Sequence, residues 1–123
     1  MVWRTPPPPE KAVQAQIVQA LRALGCHVSA TSQTRPSRQA LGLPDLWVMH
    51  PGWRLYCWIE VKRPSLGRLS PAQRAWHAIA RDAGVPLLTA SSVREVLLFL
   101  QHLGAPIGVP PAPGGVRDGI ADR

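Results

Sequence analysis

Residues 42–62, GLPDLWVMHPGWRLYCWIEVK, decide how the rest of the chain is read. Residues 46–49 form a short apolar run of strand character, and the HPGW that follows has the composition of a turn. From residue 55 to residue 62 the side chains alternate. Leu55, Cys57, Ile59 and Val61 share one face of a strand; Tyr56, Trp58, Glu60 and Lys62 share the other. Charge therefore enters at the end of the clearest strand in the chain, with Asp45 at the start of the strand before it.

Toward the N-terminus, residues 10–24 read as a helix, because Val13, Ile17, Leu21 and Leu24 recur at helical spacing and Pro9 and Gly25 bracket the segment. CHVSATSQT follows as a half-buried strand, with Cys26, Val28 and Ala30 set against His27, Ser29 and Thr31. A polar loop, RPSRQALGLP, leads into Asp45. Toward the C-terminus, Ser70 is the N-cap of a second helix, with Pro71 at its first position and Gln73 completing a capping box. Trp76, Ile79, Ala80 and Ala83 are its expected buried stripe; Gln73, His77 and Arg81 line a polar one. VPLLT is a fourth strand, and Ser92 with Glu95 caps a last helix that runs to Leu103. The order is α-β-β-β-α-β-α: an α/β fold with a mixed central sheet flanked by helices.

At 123 residues the chain has material for one domain with a modest core. Residues 10–104 are the expected folded part. Residues 1–9, with a run of four prolines, and the Pro/Gly-rich residues 105–123 carry too little periodic apolar surface to offset their ordering entropy. A net charge of +7 and a pI near 11.1 call for a polyanionic partner, most simply nucleic acid, with nonspecific binding or solubility as the plainer accounts. Arg35, Arg38, Arg54, Arg63, Arg68 and Arg74 flank the decisive stretch, and the loop residues Arg35, Arg38, Arg63 and Arg68 are the candidates for contacting DNA. Cys26 and Cys57 lack zinc-ligand spacing and read as buried free thiols. With no signal peptide and no apolar run of membrane-spanning length, the expected setting is a reducing, cytoplasmic compartment.

Glu60 and Lys62 point to one face, roughly 6.6 Å apart along the strand. Alternating charge on a half-exposed strand is the bland account, and a turn residue is the bland account of Asp45. If the two strands pair, Asp45 and Glu60 sit side by side and repel unless a cation lies between them. Hard oxygen donors of this kind suit Mg2+ or Mn2+. Such an ion activates water and neutralises phosphate charge, while Lys62 orients the water or stabilises developing negative charge.

Pro44-Asp45, with Glu60-Val61-Lys62 beginning fifteen positions after the aspartate, resembles the PD-(D/E)XK nuclease signature. GLPDLWV, EVKRPSLGRLSPAQ and the helix EKAVQAQIVQALRALG narrow the resemblance to the virus-type replication-repair nuclease (VRR-NUC) family, over about residues 10–103. That resemblance implies a restriction-endonuclease-like core and metal-dependent phosphodiester hydrolysis. By position it makes Asp45 and Glu60 metal ligands, Val61 a ligand through its carbonyl and Lys62 the catalytic lysine. Gln73 matches the family's glutamine, a role its capping box equally accounts for. Glu10 matches the acidic residue of the first helix that completes the metal site; a favourable charge at a helix N-terminus is the alternative.

The expected activity is that of a structure-specific DNA endonuclease of DNA repair, resembling homodimeric four-way (Holliday) junction resolvases. A flap or nicking nuclease and a non-catalytic DNA-binding module are the competing readings. The apolar circumference of the last helix is a candidate dimer face. Trp47, Trp58 and Trp76 read as core or half-core residues, Trp53 as a base-stacking or interface residue, and the four histidines receive no role.

Overall fold

The computed structural model describes residues 6–31, 42–64 and 67–111. Helix α1 (Glu10–Ala23) leads into β1 (His27–Ala30), β2 (Leu46–His50), a 3-10 turn (Pro51–Trp53), β3 (Leu55–Val61), α2 (Pro71–Asp82), β4 (Leu87–Ala90) and α3 (Val93–His102). The strands form one sheet in the order β1-β2-β3-β4. The first two pairings are antiparallel, and β4 joins β3 in parallel. This is the mixed α/β architecture and element order that the sequence implies.

The two faces of the sheet have different tasks. Leu46, Val48, Leu55, Cys57, Ile59 and Val61 are buried on one face with Val13, Ile17 and Leu21 of α1 and Val96 and Leu100 of α3. Burial pushes the Cys57 thiol up to about 12 and raises that of Cys26, so both stay protonated and serve as small apolar groups. Tyr56, Trp58 and Glu60 lie on the opposite face. There Trp47 meets Trp58 across the β2–β3 pair with ring centroids 4.7 Å apart.

The β2–β3 turn is fastened to α1 through His50. Its Nδ1 accepts the Trp53 N–H at 3.1 Å, its ring stacks on Trp53 at 3.7 Å, and its Nε2 meets the Leu24 carbonyl at 3.1 Å. With Nδ1 accepting, the tautomer that satisfies both contacts carries its proton on Nε2 and donates to Leu24.

Several sequence expectations are corrected. Ile79 is 57% exposed and Ala83 is exposed, so of the expected α2 stripe Ala80 alone is fully buried. The helix turns Gln73 and His77 inward instead, because the sheet face beneath it carries Glu60 and Lys62 rather than apolar side chains. Ala30 is exposed on the edge strand β1. Packing also runs past Gly104: Ala105 is buried, Ile107 packs on the core, and the Ile107 carbonyl accepts from Gln101 Nε2 at 3.1 Å. On α3, Val93, Phe99 and Leu103 pack against the core, which reduces the apolar surface expected for a dimer face to Leu97 and Leu98, both half-buried.

Gly42 ties the loop before Asp45 to the start of α2. Its φ is +82°, and a Cβ there would lie 2.3 Å from the Ala72 carbonyl carbon and 2.7 Å from the Gln73 nitrogen. Gly84 has a similar φ of +74° but open space around it. Gly42→Ala should therefore lower unfolding free energy by about 2–4 kcal/mol, joining left-handed strain to overpacking. Gly84→Ala should cost about 1 kcal/mol from the backbone alone. Urea denaturation of the two variants checks the difference.

Candidate active site

The hairpin register builds the site. Leu46 pairs with Ile59 and Trp47 with Trp58, so Asp45 falls opposite Glu60, one rung beyond the Leu46–Ile59 pair and on the same face as the tryptophans. The fifteen-residue spacing in the sequence is thus the separation that an antiparallel hairpin needs to place two carboxylates side by side.

Asp45 is held from both chain directions. Its Oδ2 accepts the Val61 N–H at 2.7 Å, and its carbonyl accepts the Thr31 N–H at 2.8 Å. The Thr31 hydroxyl donates to the Pro44 carbonyl. Val61 itself is buried and reaches the site through its backbone.

Glu60 is fully buried, and apart from a proton it can share with the adjoining Asp45 carboxyl, neither of its oxygens has a hydrogen-bond partner in the protein. Burial, followed by the adjoining Asp45 carboxyl, pushes its pKa up to about 9; Lys62 acts in the opposite direction, and Glu10 adds a further small push upward. A buried, unsatisfied ionised carboxylate is among the costliest groups a fold can carry.

Helix α2 supplies the facing wall. Gln73 Oε1 accepts the Ser70 N–H at 2.8 Å and the Lys62 Nζ at 3.1 Å, while the Gln73 N–H donates to Ser70 Oγ at 3.1 Å. The cap and the lysine contact that competed for Gln73 in the sequence meet at one oxygen, whose two lone pairs serve both. One helical turn on, His77 Nε2 stands 3.8 Å from Glu60 Oε1. Burial, then the Lys62 charge, hold the His77 pKa below its usual value, which keeps the ring neutral at neutral pH. Four helical residues advance about 6 Å and two strand residues about 6.6 Å, so Gln73 and His77 match Lys62 and Glu60 in spacing.

Sequence reasoning assigned His77 nothing. Its signal was the i, i+4 relation to Gln73 along the polar stripe. Gly67 completes the wall from the other side, since a Cβ on it would lie 2.7 Å from Lys62 Cβ.

The remaining candidates are more dispersed. Glu10 opens α1, near enough to act on Glu60 through space, yet among the described residues no three His, Cys, Asp or Glu side chains converge to hold a metal by themselves. Arg63 lies beside Lys62 in a recess of about 230 Å³ that Ser91 and Glu95 also line, and its Nη2 donates to the Pro7 carbonyl at 3.5 Å. Arg68 is exposed on the same loop. Arg35 and Arg38 lie outside the described residues.

Comparison with known proteins identifies the family of the chain. The VRR-NUC domain family matches residues 8–94, most of the chain. The chain belongs to the VRR-NUC family. A solved VRR-NUC domain, 28% identical, superposes with a TM-score of 0.61 over 76% of this chain and 95% of its own. No curated protein matches the chain. Membership makes this a nuclease-type, DNA-processing domain, and no helix among its described residues is long and apolar enough to cross a membrane.

The fold family implies a divalent cation, and the residues present fit one. Asp45 and Glu60 adjoin, Glu60 has two buried oxygens without partners, and Mg2+ is commonly held by one or two carboxylates with water and phosphate filling its shell.

A pH signature follows. Unfolded, Glu60 releases its proton near 4.5; folded, it keeps it to about 9. Between those values the native state binds more protons, so in EDTA stability should fall as pH rises, by about 1.4 kcal/mol per unit at the steepest. Melting curves from pH 5 to 9 should show that slope in wild type and a flatter one in Glu60→Gln. A wild-type slope no steeper than that of the variant overturns the assignment.

Proposed function

We propose that this VRR-NUC domain is a divalent-metal-dependent DNA endonuclease, with Asp45 and Glu60 holding Mg2+ or Mn2+ and Lys62 acting at the scissile phosphate. The observation that carries this reading is the buried Glu60 carboxylate, unpartnered and directly opposite Asp45, in a chain of net charge +7. A passive DNA-binding module gains nothing from paired carboxylates near phosphate, which repel the ligand.

The ion, when bound, lowers the pKa of a coordinated water and screens phosphate charge. Asp45 presents its ligand oxygen while the Val61 N–H fixes the other. The Val61 carbonyl and Glu10 are further candidate donors to the ion or to its waters. Lys62, steadied by Gln73 Oε1 and packed beneath Gly67, holds a positive donor where charge develops on the attacking or phosphoryl oxygen. Arg63 and Arg68, together with Arg35 and Arg38, supply backbone contacts that position DNA without reading its sequence.

The substrate we propose is branched DNA, a four-way junction foremost, cut by a homodimer. Coordinated cuts in two strands need two sites facing one substrate, which a twofold pair supplies.

Asp45→Asn and Glu60→Gln should each lower cleavage at least a hundredfold, with DNA affinity equal or tighter because neither change adds negative charge beside the phosphate. Junction, flap and nicked substrates assayed with Mg2+, Mn2+ or EDTA test both the metal dependence and the branch preference. Equal cleavage in EDTA overturns the metal reading, and a strictly monomeric mass on junction DNA by light scattering turns the substrate toward flaps or nicks. Arg63→Ala/Arg68→Ala should flatten the logarithmic salt dependence of binding by about 0.9 for each duplex phosphate that the protein no longer neutralises.

The double role of Gln73 is separable. Ser70→Ala removes the cap and should cost about 1 kcal/mol of stability with turnover nearly unchanged. Gln73→Ala should cost as much stability and, by freeing Lys62, lower kcat tenfold or more.

A further inference from the structure

We propose that His77 is a positioning residue for the metal site: its Nε2–H holds one oxygen of the Glu60 carboxylate and thereby presents the other to the ion. The inference rests on the metal-site reading above and adds a residue outside the PD-(D/E)XK signature.

Geometry carries it. His77 Nε2 and Glu60 Oε1 are buried without hydrogen-bond partners in the ionised state of the acid, and they face each other at 3.8 Å. Two unsatisfied polar groups in one pocket each carry a desolvation cost unless some state of the protein pairs them. Closing the gap by roughly 1 Å reaches the ~2.7–2.9 Å of a charge-assisted bond.

The ion-loaded state supplies the reason to close it. A carboxylate bound to a cation is ionised and accepts only, so the oxygen not used by the metal needs a donor. Asp45, as a second ligand of the ion, cannot provide one, and Lys62 Nζ is directed to Gln73 rather than brought within ion-pair distance of Glu60. Among the described residues His77 is the basic side chain within ion-pair distance of Glu60.

Direct ligation by His77 is the competing arrangement. It fares worse, because no third His, Cys, Asp or Glu side chain joins Asp45 and Glu60 closely enough to share an ion among the described residues. Anchoring from α2 also repeats what Gln73 does for Lys62 one turn earlier. The same helix would hold a carboxylate with one side chain and the lysine with another. Outer partners of this kind commonly set metal affinity by 10–100-fold.

The test is calorimetric titration of Mg2+ and Mn2+ into the full chain, with melting temperature in EDTA measured alongside. His77→Leu keeps the volume and removes the donor; His77→Gln restores an N–H near the Nε2 position. Expected are a tenfold or greater loss of affinity for both ions in His77→Leu, substantial recovery in His77→Gln, and metal-free melting temperatures within a few degrees of wild type. Wild-type affinity in His77→Leu overturns the proposal, as does a loss that His77→Gln leaves unrepaired. A loss confined to Mn2+ overturns it in favour of direct ligation, since imidazole prefers the softer ion. Should wild type itself bind neither ion, the metal-site reading fails together with this one. Intact wild-type binding with an unaffected His77→Leu sinks the positioning role alone.

Discussion

The pairing of β2 with β3 sets everything that follows in this domain. Leu46 against Ile59 and Trp47 against Trp58 fix a register in which Asp45 meets Glu60 at the next rung. A shift of one residue would turn Glu60 into the apolar core and Val61 out to the site, because successive side chains of a strand point to opposite faces. The apolar packing of Leu55, Cys57, Ile59 and Val61 against α1 and α3 is therefore what holds the carboxylates in place. Core and site are two faces of one strand, and neither can be altered without the other.

The second organising fact is the agreement between helix and strand spacing. Helix α2 lies over the charged end of β3 with Gln73 at Lys62 and His77 near Glu60. Gly42 lets the loop that carries Asp45 touch the first turn of that helix, and Gly67 leaves room for the Lys62 stem. Each of these approaches joins parts of the site that come from different segments. Strand β3 and helix α2 supply two of these parts, and the loop residues Asp45, Lys62 and Gly67 complete the site beside them.

Most of this architecture was legible in the residues. The alternation of β3, the capping box of α2 and the Ser92 cap of α3 are local signals, and each formed as its local chemistry requires. Asp45, Glu60 and Lys62 were legible because a proline turn and a strict period of two leave few other places for them. His77 was not. Amphipathic logic turns the apolar stripe of a helix inward, and here the surface to be covered is charged, so Gln73 and His77 face in while Ile79 faces out. Composition likewise hid the burial of Ala105 and the packing of Ile107, since a proline-rich segment can still contribute single side chains to a core. The place of Glu10 relative to the carboxylate pair depends on how the proline run feeds α1, which periodicity does not encode.

The Trp47–Trp58 pair also has an optical consequence. Two indoles 4.7 Å apart and inclined at 54° are close enough for their excited states to couple, which splits the circular dichroism of the aromatic bands into a paired positive and negative signal. That signal exists only while the hairpin keeps its register. Because the carboxylates sit two rungs along on the same face, the indole pair is a built-in gauge of the alignment on which the site depends. It can be read in a transparent buffer without a label, a substrate or a metal.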